Sequence, residues 1–136
     1  MPGYSGTPLP KKLGIKQGFR VCLVNDPSEV RTALSEALAA CDLAHDSRSQ
    51  LDFAMVFTKS PTDLSRQFAR LTKALAPAGM LWISWPKKSS GVATDLNENV
   101  VREIGLAAGL VDVKVCAVTE VWSGLKFVRR LKDRKK

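Results

Sequence analysis

Three lysines come just after predicted strands, and a tryptophan is the last residue of one. These are the residues of this chain best suited to hold a ligand. Lys59 comes after the apolar run 52–57, and Lys87 and Lys88 come after the run 80–85, which ends in Trp85. Ammonium groups attract anions and an indole ring stacks on planar groups. The pattern therefore predicts a site for an anionic, partly planar ligand. Its candidate residues are Asn25, Thr58, Lys59, Trp85, Lys87, Lys88 and Ser89.

A plainer interpretation fits the same residues. Loop lysines are mostly solvated charges, and Trp85 suits a ring that packs beneath the loop. A second candidate surface, for contact with a protein partner, is the turn that holds Trp122, Ser123 and Lys126. Exposed hairpin aromatics can anchor a partner, but Trp122 can equally fold back onto the sheet.

The sequence shows no recognisable catalytic motif. GxSxG, HExxH and GxxxxGK[ST] patterns do not occur, and the chain's single histidine, His45, lies in a polar stretch typical of a solvated loop. The conspicuous carboxylates suit helix caps instead: Asp26, Glu29, Asp63, Asp95 and Glu98. We therefore predict no catalytic residue, no metal ligand and no bound cofactor, and we favour a binding domain over an enzyme.

Two strand–helix units precede the central strand and must position these residues. The apolar runs 19–24 and 52–57 suit parallel strands that are covered on both faces. Each helix start combines an N-cap residue with an acid three residues later. These predicted capping pairs are Asp26 with Glu29, Ser60 with Asp63, and Asp95 with Glu98. Residues 41–50 fit either a loop or a short edge strand.

The C-terminal part changes pattern. Residues 110–118 and 125–131 alternate apolar and polar side chains, which is typical of half-exposed antiparallel strands. In 110–118, Val111, Val113 and Val115 are predicted to share one face, and Asp112 and Lys114 the other. The predicted fold is therefore a three-layer α/β domain, with a mostly parallel sheet, helices on both faces and a C-terminal antiparallel hairpin.

Composition limits the organisation to one domain. The chain has 136 residues, which is long enough to form a core without disulfides. Its net charge is +8. Three cysteines without metal-ligand or redox spacing, and no long apolar run, favour a cytoplasmic protein. We predict a flexible arm over residues 1–12, the domain over 13–131 and a basic tail over 132–136.

The positive charge lies at the two ends. Residues 1–20 carry +4 and residues 129–136 carry +5, whereas 21–128 are nearly neutral. Nonspecific nucleic-acid binding through the basic termini stays open as an alternative, although such charge runs are usually solvated.

The second half resembles a known enzyme fold. Residues 71–85, with Leu-x-x-Ala-Leu-x-Pro-x-Gly followed by an apolar strand, resemble the corresponding part of class I S-adenosylmethionine-dependent methyltransferases. More specific phrases resemble a bacterial family of small cytosolic proteins of uncharacterised function. They are Lys-Lys-Leu-Gly-Ile-Lys-x-Gly, Leu-Trp-Ile-Ser-Trp-Pro-Lys-Lys-Ser-Ser-Gly, Val-Asp-Val-Lys-Val-Cys-Ala-Val and Val-Trp-Ser-Gly-Leu-Lys-Phe-Val-Arg-Arg.

The methyltransferase resemblance implies a truncated Rossmann-like sheet, but the first turn departs from that family. Its members bind the cofactor with a glycine-rich turn after the first strand, whereas residues 25–29 here are Asn-Asp-Pro-Ser-Glu. We therefore do not predict S-adenosylmethionine as a cofactor. The favoured hypothesis is a non-catalytic methyltransferase-like domain that binds a protein partner or a small anionic ligand at the carboxyl ends of its parallel strands. The alternative is a small transferase that acts on an anionic substrate in the same place.

Overall fold

A six-stranded sheet forms the middle layer of the protein. The structure, a computed structural model, describes residues 7–44 and 50–134, so the predicted solvated loop around His45 lies outside the described residues. The strand order is β2-β1-β3-β4-β6-β5. The strands are β1 (Arg20–Val24), β2 (Asp42–Leu43), β3 (Leu51–Phe57), β4 (Leu75–Pro86), β5 (Leu110–Ala117) and β6 (Trp122–Arg129).

Helices cover both faces of the sheet. They are α1 (Leu9–Leu13), α2 (Ser28–Leu38), α3 (Pro61–Ala74) and α4 (Glu98–Ala107). Strands β2, β1, β3 and β4 are parallel, and β6 and β5 complete the sheet as antiparallel strands. One core packs α3 and α4 on the sheet, and the other packs α1 and α2 on its opposite face. The predicted three-layer fold is confirmed. No helix among the described residues is long and apolar enough to cross a bilayer.

The predicted flexible arm is partly helical. Helix α1 begins at Leu9 and buries Leu13, which is 1% exposed. The indole Nε1 of Trp82 donates a hydrogen bond to the Leu13 carbonyl over 2.9 Å. Because a buried indole N–H requires an acceptor, this bond ties α1 to the centre of the sheet. Residues 9–12 therefore belong to the fold.

One of the three predicted capping pairs begins its helix as predicted. The hydroxyl of Ser60 accepts a hydrogen bond from the Asp63 amide at the start of α3. At α2 the predicted Asp26 cap is wrong, because the N-cap position is Pro27 and the Asp26 carboxylate pairs with Arg31. At α4 the cap lies two residues later than predicted. The side chain of Asn97 accepts from the Val100 amide there.

The predicted valine face of β5 is wrong as well. The pairing with β6 shifts between Asp112, which lies opposite Phe127, and Lys114, which lies opposite Lys126. A bulge at Val113 therefore turns Asp112 and Lys114 to opposite faces. Asp112 pairs with Arg102 of α4, and Lys114 donates to the carbonyl of Lys12 on the other face. Val113 and Val115 remain 54% and 47% exposed.

Gly105 allows α4 to lie close to the sheet. A Cβ atom at this position would overlap the ring of Phe127, which is fully buried and meets Phe68 edge to face at 5.1 Å. Because the Phe127 ring is buried and packs against Phe68, moving it aside would cost packing energy. The absence of a side chain at residue 105 therefore sets how closely α4 approaches β6.

Replacing Gly105 by alanine separates helix propensity from packing. Propensity alone predicts a gain of about 1 kcal/mol, but the overlap with Phe127 predicts a loss of roughly 1–3 kcal/mol. We expect the free energy of unfolding, measured by urea denaturation, to fall in Gly105→Ala. The exposed Ala107→Gly in the same helix is the control and should lose only the propensity difference. A gain in Gly105→Ala would contradict the packing account.

Candidate ligand-binding crevice

A crevice opens where the strand order reverses. The chain leaves β1 toward β2 on one side and returns to β3 on the other, and in open parallel sheets ligands bind beyond the carboxyl ends of such strands. A cavity of about 400 Å³ lies at this point. Its lining residues are Asn25, Phe57, Thr58, Lys59, Ser60, Asp63 and Trp122. We call this cavity the switch-point crevice.

Asn25 shapes the turn that follows β1. Its φ is 58°, and it is the non-glycine residue with a left-handed backbone among those described. Asparagine tolerates this conformation better than most residues that carry a side chain. Its amide Nδ2 also lies 3.5 Å from the carbonyl oxygen of Phe57, so Asn25 links the ends of β1 and β3. The turn after β1 contains no glycine, and Asn25 adopts the left-handed conformation there instead.

Thr58 and Asp63 form the rigid floor of the crevice. The Thr58 hydroxyl donates to the Asp63 carboxylate over 2.7 Å, and Arg66 donates to the other carboxylate oxygen over 2.7 Å. These bonds, led by the one from Thr58, lower the pKa of Asp63 below its ordinary value of 3.8. Asp63 is therefore an ionised, fully engaged carboxylate.

Trp122 forms a wall of the crevice. Its ring is half-buried and meets the ring of Phe57 edge to face at 5.2 Å. The hydroxyl of Thr119 accepts from the amides of Val121 and Trp122, and the Val121 carbonyl accepts from the Lys87 amide over 2.7 Å. The indole is thus held by a fixed turn. Sequence reasoning assigned Trp122 to a separate partner surface.

The lysine loop lies in a second cleft of about 620 Å³. Trp85, Lys87 and Lys88 line this cleft, together with Ser123 and residues 91–98. Trp85 is only 5% exposed and packs in the core, as the plainer interpretation has it, so its ring offers little surface for stacking. The Lys59 carbonyl accepts hydrogen bonds from the Thr94 hydroxyl and the Asp95 amide. These bonds connect a lining residue of the switch-point crevice to two lining residues of the second cleft.

The predicted ligand residues are therefore divided between two places. Asn25, Thr58 and Lys59 come together in the switch-point crevice, whereas Trp85, Lys87 and Lys88 lie in the second cleft. Ser89 is exposed and lines neither of these cavities. Sequence reasoning missed Phe57, Ser60 and Asp63 as lining residues.

Other predicted residues lie elsewhere. Of the predicted partner surface, Ser123 borders the second cleft, and Lys126 lies further along β6, opposite Trp82. Within residues 7–44 and 50–134, no group of three or more His, Cys, Asp or Glu side chains is placed to hold a metal ion.

Residues 11–131 match the family described as "Protein of unknown function (DUF3052)". The chain belongs to this family. A comparison with curated proteins gives no match. The family description names no activity, so the fold and the crevices carry the functional argument.

Several solved structures share this fold, and some of them are named as methyltransferases. A SAM-dependent methyltransferase from Aquifex aeolicus is 15% identical, with a TM-score of 0.58, over 86% of this chain and 85% of that one. DhpI, solved as a DhpI–SAH complex, is 11% identical, with a TM-score of 0.61, over 90% and 82%. The pyocyanin biosynthetic protein PhzM has a TM-score of 0.60 at 11% identity, and this chain spans 53% of its length. At such identities the likeness shows the fold alone, and the predicted methyltransferase-like fold is confirmed.

The bond between Thr58 and Asp63 has a measurable consequence. In Thr58→Val the Asp63 carboxylate loses the hydrogen bond that the Thr58 hydroxyl donates, so we expect the pKa of Asp63 to rise toward its ordinary value in a carboxyl-carbon NMR titration. Because folding lowers this pKa, the ionised carboxylate stabilises the wild-type protein above the unfolded-state pKa. That contribution disappears as the pH falls through the folded-state pKa.

Asp112 provides an internal control in the same spectra. Hydrogen bonding from Arg102 lowers its pKa, and this pair does not involve Thr58. The pKa of Asp112 should therefore be equal in both proteins. An unchanged Asp63 pKa in Thr58→Val would contradict the geometry described for the crevice floor.

Proposed function

We propose that this protein is a non-catalytic methyltransferase-like domain that binds a small anionic ligand with a planar part in the switch-point crevice. One observation supports the proposal most strongly. The exposed Lys59 and the ring of Trp122 line the same cavity, at the point where the strand order reverses. The ammonium group supplies attraction for an anion, and the indole supplies a surface for a planar group.

The surroundings of Lys59 favour an anion over a cation. The one carboxylate that lines the crevice, Asp63, is bonded to Thr58 and Arg66. Arg66 lies outside the lining but balances the charge of Asp63, so Lys59 supplies the positive charge that no neighbouring acid of the lining cancels. The half-buried ring of Trp122 further supports binding, because Thr119 holds its turn and the ring of Phe57 packs against it, which pre-organises this wall.

The crevice chemistry argues against a catalytic role. A general base works best with a pKa near the working pH, whereas hydrogen bonding lowers the pKa of Asp63. The turn after β1 also fits S-adenosylmethionine poorly. Asn25, Asp26 and Pro27 all carry side chains where a cofactor-binding turn needs close backbone approach, and Pro27, at the N-cap position, has no N–H to donate.

A thermal-shift screen tests the proposal. The panel contains ADP and other nucleotides, acyl-CoA, phosphorylated metabolites, S-adenosylmethionine and S-adenosylhomocysteine. A ligand at about 100 times its dissociation constant adds about 2.7 kcal/mol, which should raise the melting temperature by roughly 5 to 15 °C for a domain of this size. We expect a planar anion to give such a shift.

Two lysine variants locate the binding. Lys59→Ala should remove the shift, whereas Lys88→Ala, which deletes an exposed lysine of the second cleft, should keep it. The reverse result would place the ligand in the second cleft. A shift with S-adenosylmethionine together with turnover to S-adenosylhomocysteine would support the transferase alternative, and no shift with any compound would support a protein partner.

A further inference from the structure

Four lysines converge on the sheet face that α1 covers, away from the switch-point crevice. They come from α1 and the loop after it and from the last two strands: Lys12, Lys16, Lys114 and Lys126. We call this group the lysine cluster. These residues lie far apart in the sequence, so only the fold brings them together.

Strand pairing and two hydrogen bonds position Lys12, Lys114 and Lys126. Lys114 lies directly opposite Lys126 across the β5–β6 pair, a position in which Cβ atoms are about 5 Å apart. The Lys114 ammonium donates to the Lys12 carbonyl over 3.1 Å, and the Lys12 ammonium donates to the Ala117 carbonyl over 2.9 Å. The bond from Lys114 ends on a neutral carbonyl, so it orients that ammonium group without cancelling its charge.

The arrangement disfavours the folded state in the absence of an anion. Like charges directly opposite one another destabilise a sheet, and Lys126 is half-buried. Burial, reinforced by the charges of Lys114 and Lys16, lowers the pKa of Lys126. Among the described residues, no carboxylate forms an ion pair with Lys16, Lys114 or Lys126.

Two titratable groups of β5, Cys116 and Asp112, do not compensate the charges of Lys114 and Lys126. The thiol of Cys116 faces Lys12 and Lys114, and burial raises its pKa, so it stays neutral. Asp112, the nearest acid along β5, points to the opposite face toward Arg102. Local arrangements that lower stability without an evident gain are expected mainly at functional sites.

We propose that the lysine cluster is a binding site for a compact anion that carries two or more linked phosphate groups. Lys114 and Lys126 are paired across neighbouring strands, so their flexible side chains can contact two linked phosphate groups of one anion. The four lysines come from α1, the loop after it and one strand pair, so they form a local group rather than a long stripe, which suits a small polyphosphate group better than an extended nucleic-acid duplex. This site is independent of the switch-point crevice.

Inorganic tripolyphosphate is the probe for the test. Lys126→Met removes the charge with little change in side-chain volume. Without any anion, this variant should melt at a higher temperature than the wild-type protein, because it removes a desolvated, repelled charge. Tripolyphosphate should raise the melting temperature of the wild-type protein, and its affinity measured by calorimetry should fall by about tenfold or more in Lys126→Met.

Lys73→Met is the matched control, because it deletes an exposed lysine on α3, on the other side of the sheet. The affinity of Lys73→Met for tripolyphosphate should stay within about twofold of the wild-type value, since solvent and salt screen an exposed charge on the opposite side of the sheet from the lysine cluster. Lys59→Ala should likewise retain tripolyphosphate binding, which separates this proposal from that of the crevice. Equal losses in Lys73→Met and Lys126→Met, or a lower melting temperature of Lys126→Met without anion, would overturn the proposal.

Discussion

The antiparallel pairing of β6 with β4 determines where Trp122 and Lys126, one residue of each proposed site, lie in this fold. The register runs from Met80 opposite Val128 to Pro86 opposite Trp122. It brings Trp122 to the carboxyl end of β4, where its ring meets Phe57, and it places Phe127 beneath α4. A shift by one residue would turn every β6 side chain to the other face. Both proposed sites would be lost together.

The centre of this register is built around a single large side chain. Trp82 is fully buried, and its indole N–H donates to Leu13. Gly124 makes room for the ring, since a Cβ at this position would lie 3.1 Å from the Trp82 ring and 2.9 Å from Val118. Packing of this quality fixes α1 and the start of β6 relative to each other. The lysine cluster, which draws on both elements, depends on that fixed relation.

Features set by local chemistry could be predicted from the sequence. The parallel strands β1 and β3 and the Ser60 cap follow from apolar runs and from turn residues. The caps of α2 and α4 could not, because Asp26 has a competing partner in Arg31, and Asn97 offers a second acceptor two residues after Asp95.

Features that depend on partner strands were beyond sequence reasoning. The bulge at Val113 exists only relative to β6, and it places Asp112 and Lys114, which were predicted to share a face, on opposite faces of the sheet. The place of Trp122 in the crevice likewise follows from strand order rather than from its own turn. In the candidate site, the residues that follow β1 and β3 were predicted together, whereas the contribution from β6 was not.

Residue-resolved NMR with ADP as the probe tests the central claim, that the switch-point crevice binds a planar anion, most directly. In nitrogen–proton correlation spectra we expect ADP to shift the amides of Asn25, Thr58 and Lys59 and the indole N–H of Trp122. The buried indoles of Trp82 and Trp85 should stay unchanged. Signal changes confined to residues 87–97 would contradict the claim. So would unchanged spectra in the presence of a large excess of ADP.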